Sequence, residues 1–340
     1  MKTEQIAVAG PGRMGVGIVT AILAAGTGRR VLLVDTKKRP RGREKEALER
    51  ARKEIHAHLD QLRELGALDG SPEELRKPLK LAAGLGPEIA DSQIVFECLP
   101  ELPELKQRFL AGLEPLLTDR AIVASATSTI NLKVFGKKAL RPERLLTTHW
   151  LNPAFIVPLV EVSVGEKTAS WATERMKAFL TGVGKIPVTL RDSPGFIVPR
   201  IQAAAMNEAV SMIEEGVASA EEIDTAIKAG FGFRLAVLGL VEFIDLGGAD
   251  ILYHAGQFLH SALNQPQFKP PRLLVEKMER GEVGPRAGKG FFDYDGVDLE
   301  RLFKNRYQGF LELLRCIENS SVLRFEGGME ADRATDGSGK

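Results

Sequence analysis

Gln5-Ile6-Ala7-Val8-Ala9-Gly10-Pro11-Gly12-Arg13-Met14-Gly15-Val16-Gly17 is followed, after an Ala/Ile/Leu-rich stretch to about Ala25, by Arg30-Val31-Leu32-Leu33-Val34-Asp35. The pattern is a buried strand, a glycine turn, a helix and a second buried strand ending in an acid, the opening unit of a doubly wound parallel α/β sheet. Each glycine has a job. Gly10 permits the tight turn, Gly12 lets a diphosphate approach the backbone, and Gly15 lets helix and strand pack closely. The first helical turn, with Arg13 and Met14, presents N–H groups that stabilise phosphate charge. Asp35 stands where a carboxylate binds the ribose hydroxyls and repels a 2′-phosphate, which selects NAD over NADP. Lys37-Lys38-Arg39 just beyond would offset a 2′-phosphate if the loop folds back, but reads rather as a solvated turn, or as facing the phosphate of another ligand.

The sheet continues outward from this unit. Leu79–Ala83 and Ser92–Glu97 are further strands, and Leu99-Pro100-Glu101-Leu102-Pro103-Glu104-Leu105-Lys106 then opens a helix running to about Leu117. Loops at the carboxyl ends of parallel strands face the cofactor crevice, which places Glu101 and Lys106 to touch the nicotinamide ribose or carboxamide. The same pair serves equally as a helix start with an ion pair. Between the second and third strands, residues 42–66 alternate Arg, Lys and Glu with Ala and Leu at helical spacing. This insertion reads as one or two long helices, most simply an exposed helical hairpin covered with ion pairs. Alternatively, Arg41, Arg43, Lys45, Arg52 and Lys53 hold the phosphates of a large acyl carrier.

Ala121 to Ser125 is the next buried strand, running into Ala126-Thr127-Ser128-Thr129. Ser128 either caps a following helix or presents its hydroxyl to a substrate oxygen on the rim of the sheet. Thr147-Thr148-His149-Trp150-Leu151-Asn152-Pro153 then leads through Ala154 to Pro158 into Leu159-Val160-Glu161-Val162. A histidine and a glutamate delivered by neighbouring strand ends can meet. Glu161 then accepts a hydrogen bond from one imidazole nitrogen, fixes the tautomer and leaves the other nitrogen free as a base. The plainer reading has His149 capping a strand and Glu161 solvated.

A break falls at Arg191-Asp192-Ser193-Pro194-Gly195-Phe196, beyond which helical spacing replaces strands for a long stretch. Ile201 to Glu215, a helix capped by Ser219 with Glu222 three residues on, the apolar Leu235–Leu263 and Asp298 to about Ile317 are its helices. The expected division is a dinucleotide-binding domain at 1–191, a helical substrate and dimerisation domain at 192–325, and a disordered tail at 326–340. The helical half carries more apolar surface than a small bundle hides, so a homodimer through it is expected. Gly284 to Tyr294 is a glycine-rich turn with aromatics that could close over the cofactor.

The balance of 46 basic and 45 acidic residues leaves no global field toward nucleic acid or an anionic membrane. Cys98 and Cys316 are the two cysteines, without metal-ligand spacing, and read as passive thiols of a reducing compartment. No apolar signal region and no run of about eighteen apolar residues is present, so a cytoplasmic protein is expected.

From Gly10 to about Tyr294 these motifs resemble the 3-hydroxyacyl-CoA dehydrogenase family, including its branch of L-gulonate (lambda-crystallin), carnitine and related 3-hydroxy acid dehydrogenases. The nucleotide fingerprint matches Gly10, Gly12, Gly15 and Asp35, and the family's cofactor-contacting pair matches Glu101 and Lys106. Its Asn-Thr-Ser serine matches Ser128, with Ala126 in place of the asparagine. Its His-x-x-Asn-Pro matches His149 and Asn152, and the glutamate of Leu-Val-Glu-Val matches Glu161. The resemblance implies His149 as base, Glu161 as its partner, and Ser128 and Asn152 as substrate-positioning groups, with NAD as cofactor and no metal. Pro199 stands where the family has a substrate-contacting asparagine; either Gln202 reaches in from the next turn to replace it, or the substrate does not need that amide. Arg286 replaces a lysine of the C-terminal loop and keeps its charge. Trp150 beside the base, with Ile156–Pro158 and Gly232–Gly239, resembles the small-acid branch more than the acyl-CoA branch. The implied activity is oxidation of an L-3-hydroxyacyl substrate of the 3-hydroxybutyryl-CoA kind to its 3-oxo product. Two alternatives stand beside it: a dehydrogenase of a free 3-hydroxy acid, and a noncatalytic, NADH-binding structural protein of the crystallin type.

Overall fold

A computed structural model of the chain describes residues 4–43 and 45–318, so the tail expected at 326–340 lies outside the described residues. The chain divides into two compact units, Met1–Ala205 and Met206–Lys340.

The first unit is built on an eight-stranded sheet in the order β3-β2-β1-β4-β5-β6-β7-β8. Its strands are β1 (Gln5–Ala9), β2 (Arg30–Asp35), β3 (Leu79–Ala83), β4 (Ser92–Glu97), β5 (Ile122–Ser125), β6 (Leu145–Trp150), β7 (Leu159–Val164) and β8 (Ile186–Arg191). β1 pairs in parallel with β2 on one side and β4 on the other, so the strand order reverses there. The crevice beyond the carboxyl ends at such a point is where doubly wound sheets bind ligands. β7 runs antiparallel to β6, and the register sets His149 opposite Glu161. All five residues of β1 are buried, as expected of a strand covered on both faces.

Helix α1 (Arg13–Ala24) packs against this sheet, and α2 (Glu46–Glu64) packs against α1. Of the one or two long helices expected at 42–66 the structure forms one, and it corrects the exposed hairpin. One continuous helix forms, and Leu48, Ile55, Leu59 and Leu62 join Val16, Ile18 and Ile22 in a single apolar cluster. The stripe is narrow but recurs at three- and four-residue spacing, enough to make α2 a core helix. Burying each of those leucines contributes about 1.5–3 kcal/mol.

The second unit is helical. Its described helices include Ala220–Ala226, Leu240–Gly247, Ala249–Leu263, Arg272–Glu279 and Leu299–Glu318. Ser219 and Glu222 form the expected capping box. The apolar run Leu235–Leu263 is not one helix, because Gly248, at φ +98, breaks it. Apolar side chains remain exposed, among them Met206, Val210, Phe258 and Leu311. No described helix is long and apolar enough to cross a membrane.

Candidate active site

The β1–α1 turn has the shape that its glycines require. Gly10 sits at φ +114, and a Cβ there would lie 2.5 Å from the Cys98 carbonyl oxygen. A Cβ on Gly15 would lie 1.9 Å from the Gly10 carbonyl oxygen, so helix and turn touch through backbone alone. Gly12 is different: a Cβ there meets nothing within 4 Å. It precedes a helix whose first turn has no side-chain cap. Open space over uncapped N–H groups at a helix N-terminus is the cradle that a diphosphate fills, so the turn fits a dinucleotide. Arg13 is exposed at its mouth and Met14 half-buried. Asp35, 3% exposed at the end of β2, accepts from the Lys37 amide at 3.1 Å and from Arg39 Nε at 2.8 Å. Arg39 is thus an ion-pair partner of the Asp35 carboxylate rather than part of a solvated turn.

His149 and Glu161 do meet. The imidazole Nδ1 lies 2.7 Å from Glu161 Oε2, and both side chains are buried. The other carboxylate oxygen, Oε1, accepts from the backbone amides of Ile197 at 2.7 Å and Val198 at 3.0 Å. Glu161 is therefore held from two sides. Phe196, at the head of the same turn, stacks on the imidazole with ring centroids 5.0 Å apart and 26° between planes. Its φ of +50 is left-handed, a conformation that costs a non-glycine residue roughly 1 kcal/mol. The Asn152–Pro153 peptide is cis, and Asn152 is exposed.

A second polar chain runs beside the first. Glu97, fully buried at the end of β4, accepts from Lys106 Nζ at 2.9 Å on each oxygen and from the Leu99 amide at 2.7 Å. It also accepts from the Ser125 hydroxyl. Lys106 Nζ reaches on to the Leu99 carbonyl at 3.2 Å and to Glu101 Oε2 at 3.3 Å. Glu101 in turn gathers the loop after β5, accepting from the Thr127 hydroxyl and from the amides of Ser128 and Thr129, both at 3.1 Å. Burial pushes the Glu101 carboxyl up, but the Thr127 hydroxyl, the Lys106 ammonium and Thr129 together outweigh it and hold it below its ordinary value. Cys98, between β4 and this loop, has its thiol pushed far up by burial and then by Glu97, which makes it a poor nucleophile.

The structure thus joins His149 to Glu161, and Glu101 to both Lys106 and the backbone of Ser128, whose residue is exposed. Lys106 departs from the expected cofactor contact: its side chain is 0% exposed and its donors are taken up by protein acceptors. Trp150 is also corrected as a substrate residue. Alternation along β6 turns it away from the His149 face, and it lies in the core edge-on to Phe96 at 5.7 Å. Pro199 is half-buried and Gln202 exposed on the helix Val198–Glu214. Arg286 is exposed in the helical unit, on a glycine loop anchored by Asp245, which accepts from the Phe291 and Phe292 amides at 2.8 Å each. Sequence reasoning missed Glu97 and Phe196, and named Arg39 without its ion pair to Asp35. A carboxylate ending an otherwise apolar strand was a usable signal for Glu97, since a buried charge demands a partner. The ring contact of Phe196 left no pattern in the sequence.

A doubly wound sheet with an open glycine cradle at its switch point, followed by a helical unit, defines an NAD-binding oxidoreductase of two domains. The chain belongs to the 3-hydroxyacyl-CoA dehydrogenase family: the profile of that family's NAD binding domain matches residues 5–193 and that of its C-terminal domain matches residues 195–294. The chain is 31% identical over 316 residues to 5-formyl-3-hydroxy-2-methylpyridine 4-carboxylate 5-dehydrogenase of Mesorhizobium japonicum, covering 93% of this chain and 98% of that protein. A probable 3-hydroxybutyryl-CoA dehydrogenase of Deinococcus radiodurans is 31% identical, covering 84% of this chain and 99% of its own. Among solved structures, the 3-hydroxyacyl-CoA dehydrogenase of Archaeoglobus fulgidus superposes with a TM-score of 0.72 at 32% identity, covering 91% of this chain and 99% of that one. The protein is accordingly a dehydrogenase of a family that acts on CH–OH groups with NAD.

Proposed function

We propose that the protein oxidises the 3-hydroxyl of an L-3-hydroxyacyl substrate of the 3-hydroxybutyryl-CoA kind to the 3-oxo product. The observation that carries this reading is the 2.7 Å contact between His149 Nδ1 and Glu161 Oε2 on facing residues of β6 and β7. With Nδ1–H donated to the carboxylate, Nε2 carries the free lone pair and takes the hydroxyl proton. Glu161 stabilises the imidazolium so formed, while its second oxygen stays fixed by the Ile197 and Val198 amides. Ser128 supplies a hydroxyl to the substrate oxygen, and Asn152 helps to orient the substrate. Gly10 to Gly15, with Arg13 and Met14 in the turn, hold the dinucleotide, Asp35 its ribose, and Glu101 its nicotinamide end. Arg286 adds a cation from the C-terminal loop. Bound NAD supplies the hydride acceptor. The helical domain pairs two copies in a homodimer in the cytoplasm, an assembly supported by the exposed apolar side chains of Met206, Val210 and Phe258.

A free 3-hydroxy acid is the second reading, and two observations favour it. Arg43 and Arg52, candidates for an acyl carrier's phosphates, are paired with Glu46 at 2.7 Å and Glu49 at 2.5 Å. A relative matched over 93% of this chain acts, by its name, on a pyridine carboxylate. The test is NADH formation with 3-hydroxybutyryl-CoA, gulonate, carnitine and aromatic 3-hydroxy acids. Turnover of the thioester supports the first reading, and turnover of free acids alone replaces it with the second. His149→Gln is expected to lower kcat by about two to four orders of magnitude while NADH still binds. NADH binding with no turnover of any 3-hydroxy compound would return the protein to the noncatalytic class.

A further inference from the structure

We propose that Phe196 is a positioning residue for the proton transfer to His149, holding the plane of its imidazole in the orientation that Glu161 alone cannot fix. The inference rests on the reading of His149 as the base. One hydrogen bond at Nδ1 pins one atom of the ring, and the ring can still tilt about that point because the torsion at Cβ–Cγ is broad. The face of a second ring removes that freedom. Phe196 lies 5.0 Å from the imidazole centroid at 26°, inside the range of attractive ring pairs.

Phe196 is held rigidly. It is 6% exposed, and its ring faces the imidazole. The backbone enters a left-handed turn at Gly195 (φ +81) and stays there at Phe196 (φ +50). Such a conformation persists in a bulky residue only where its surroundings over-determine it. The next two amides, of Ile197 and Val198, donate to Glu161 Oε1. One turn therefore supplies three attachments, a ring to His149 and two N–H groups to the carboxylate that holds His149. A displacement of the base of the order of 1 Å is enough to cost a large factor in rate, which is why a residue that touches no reacting atom can matter.

The test compares Phe196→Leu, which keeps an apolar side chain and loses the ring face, with Phe196→Tyr, which keeps both. Phe196→Leu is expected to lower kcat about tenfold while the KM for NAD changes less than about twofold, and Phe196→Tyr to restore kcat to within about threefold of the wild type. The second readout needs no turnover: proton–carbon NMR of protein labelled at the histidine ring carbons. The chain has five histidines, and His149→Gln identifies the signal that belongs to His149. Its ring proton is expected to be displaced upfield by the Phe196 ring current in the wild type and in Phe196→Tyr, and to return to the ordinary position in Phe196→Leu. A wild-type His149 signal at the ordinary position overturns the stacking without any variant. Wild-type kcat in a folded Phe196→Leu overturns the positioning role. Should His149→Gln retain turnover, it is the base assignment that fails, and the NMR signal still decides the stacking.

Discussion

Glu161→Gln is the substitution that separates charge from shape at the candidate site. In the wild type Oε1 is committed to two backbone donors, Ile197 N at 2.7 Å and Val198 N at 3.0 Å, and Oε2 faces His149 Nδ1 at 2.7 Å. A glutamine has one oxygen and one NH2, and the two sides of the site do not treat them alike. Turning the NH2 toward Ile197 and Val198 sets donors against two amides and leaves both unsatisfied, at about 1–3 kcal/mol each. The oxygen must stay there, so the NH2 turns toward Nδ1. An imidazole facing a donor at Nδ1 accepts there and carries its proton on Nε2, the nitrogen that should receive the substrate's proton. The base is then present, in place and in the wrong tautomer. The comparable substitution in serine proteases lowers kcat by about four orders of magnitude, and a loss of about three to four orders is expected here. Stability should fall far less. All three charge-assisted bonds of the carboxylate become neutral ones, costing about 1–3 kcal/mol and a few degrees in Tm. Initial rates of NADH formation, NADH binding by fluorescence and a thermal melt measure the three quantities. A folded Glu161→Gln variant with kcat within tenfold of the wild type would refute the tautomer argument and with it the dyad.

Gly15→Ala places a methyl group 1.9 Å from the Gly10 carbonyl oxygen, a backbone atom that cannot rotate away. A stability loss of about 1–3 kcal/mol is expected, with NADH affinity at least tenfold weaker; wild-type affinity by fluorescence titration would show that the turn does not hold the dinucleotide. For Glu101 the folded carboxyl lies below its ordinary value, so its stabilisation is present above the unfolded value and is lost as pH falls through the folded one. Hydrogen-exchange protection of the Ser128 and Thr129 amides, which donate to Glu101, should drop in that acid window and be low at every pH in Glu101→Ala, which has no side-chain acceptor. Protection independent of both pH and the substitution would remove Glu101 as the organiser of the Ser128 loop.

What could be read from the sequence follows the range of the interactions. The β1–α1–β2 unit is local: the glycines, the apolar runs and Asp35 lie within one stretch, and every constraint on that turn is written there. The His149–Glu161 contact was also within reach, because antiparallel pairing of two strands joined by a short connection brings residues 12 apart face to face. α2 was misread because a stripe of alanines and leucines among charges looks thin until a partner surface exists, and that surface, α1, lies elsewhere in the sequence. Trp150 shows the opposite failure. Adjacency to His149 suggested a shared site, whereas in a strand adjacent residues face opposite sides. Glu97 and Lys106 show what a motif conceals: the charges were visible, but only the fold makes Lys106 a buried link between two carboxylates instead of a group reaching a ligand. Phe196 lay furthest from reach. Its left-handed backbone and its contact with His149, 47 positions away, arise where the turn leaving the sheet folds back on Glu161. The chain therefore carries its cofactor cradle in local sequence and the fine placement of His149, the proposed base, in long-range packing. Substitutions in the cradle should alter NAD affinity, and those in the 195–198 turn should alter kcat.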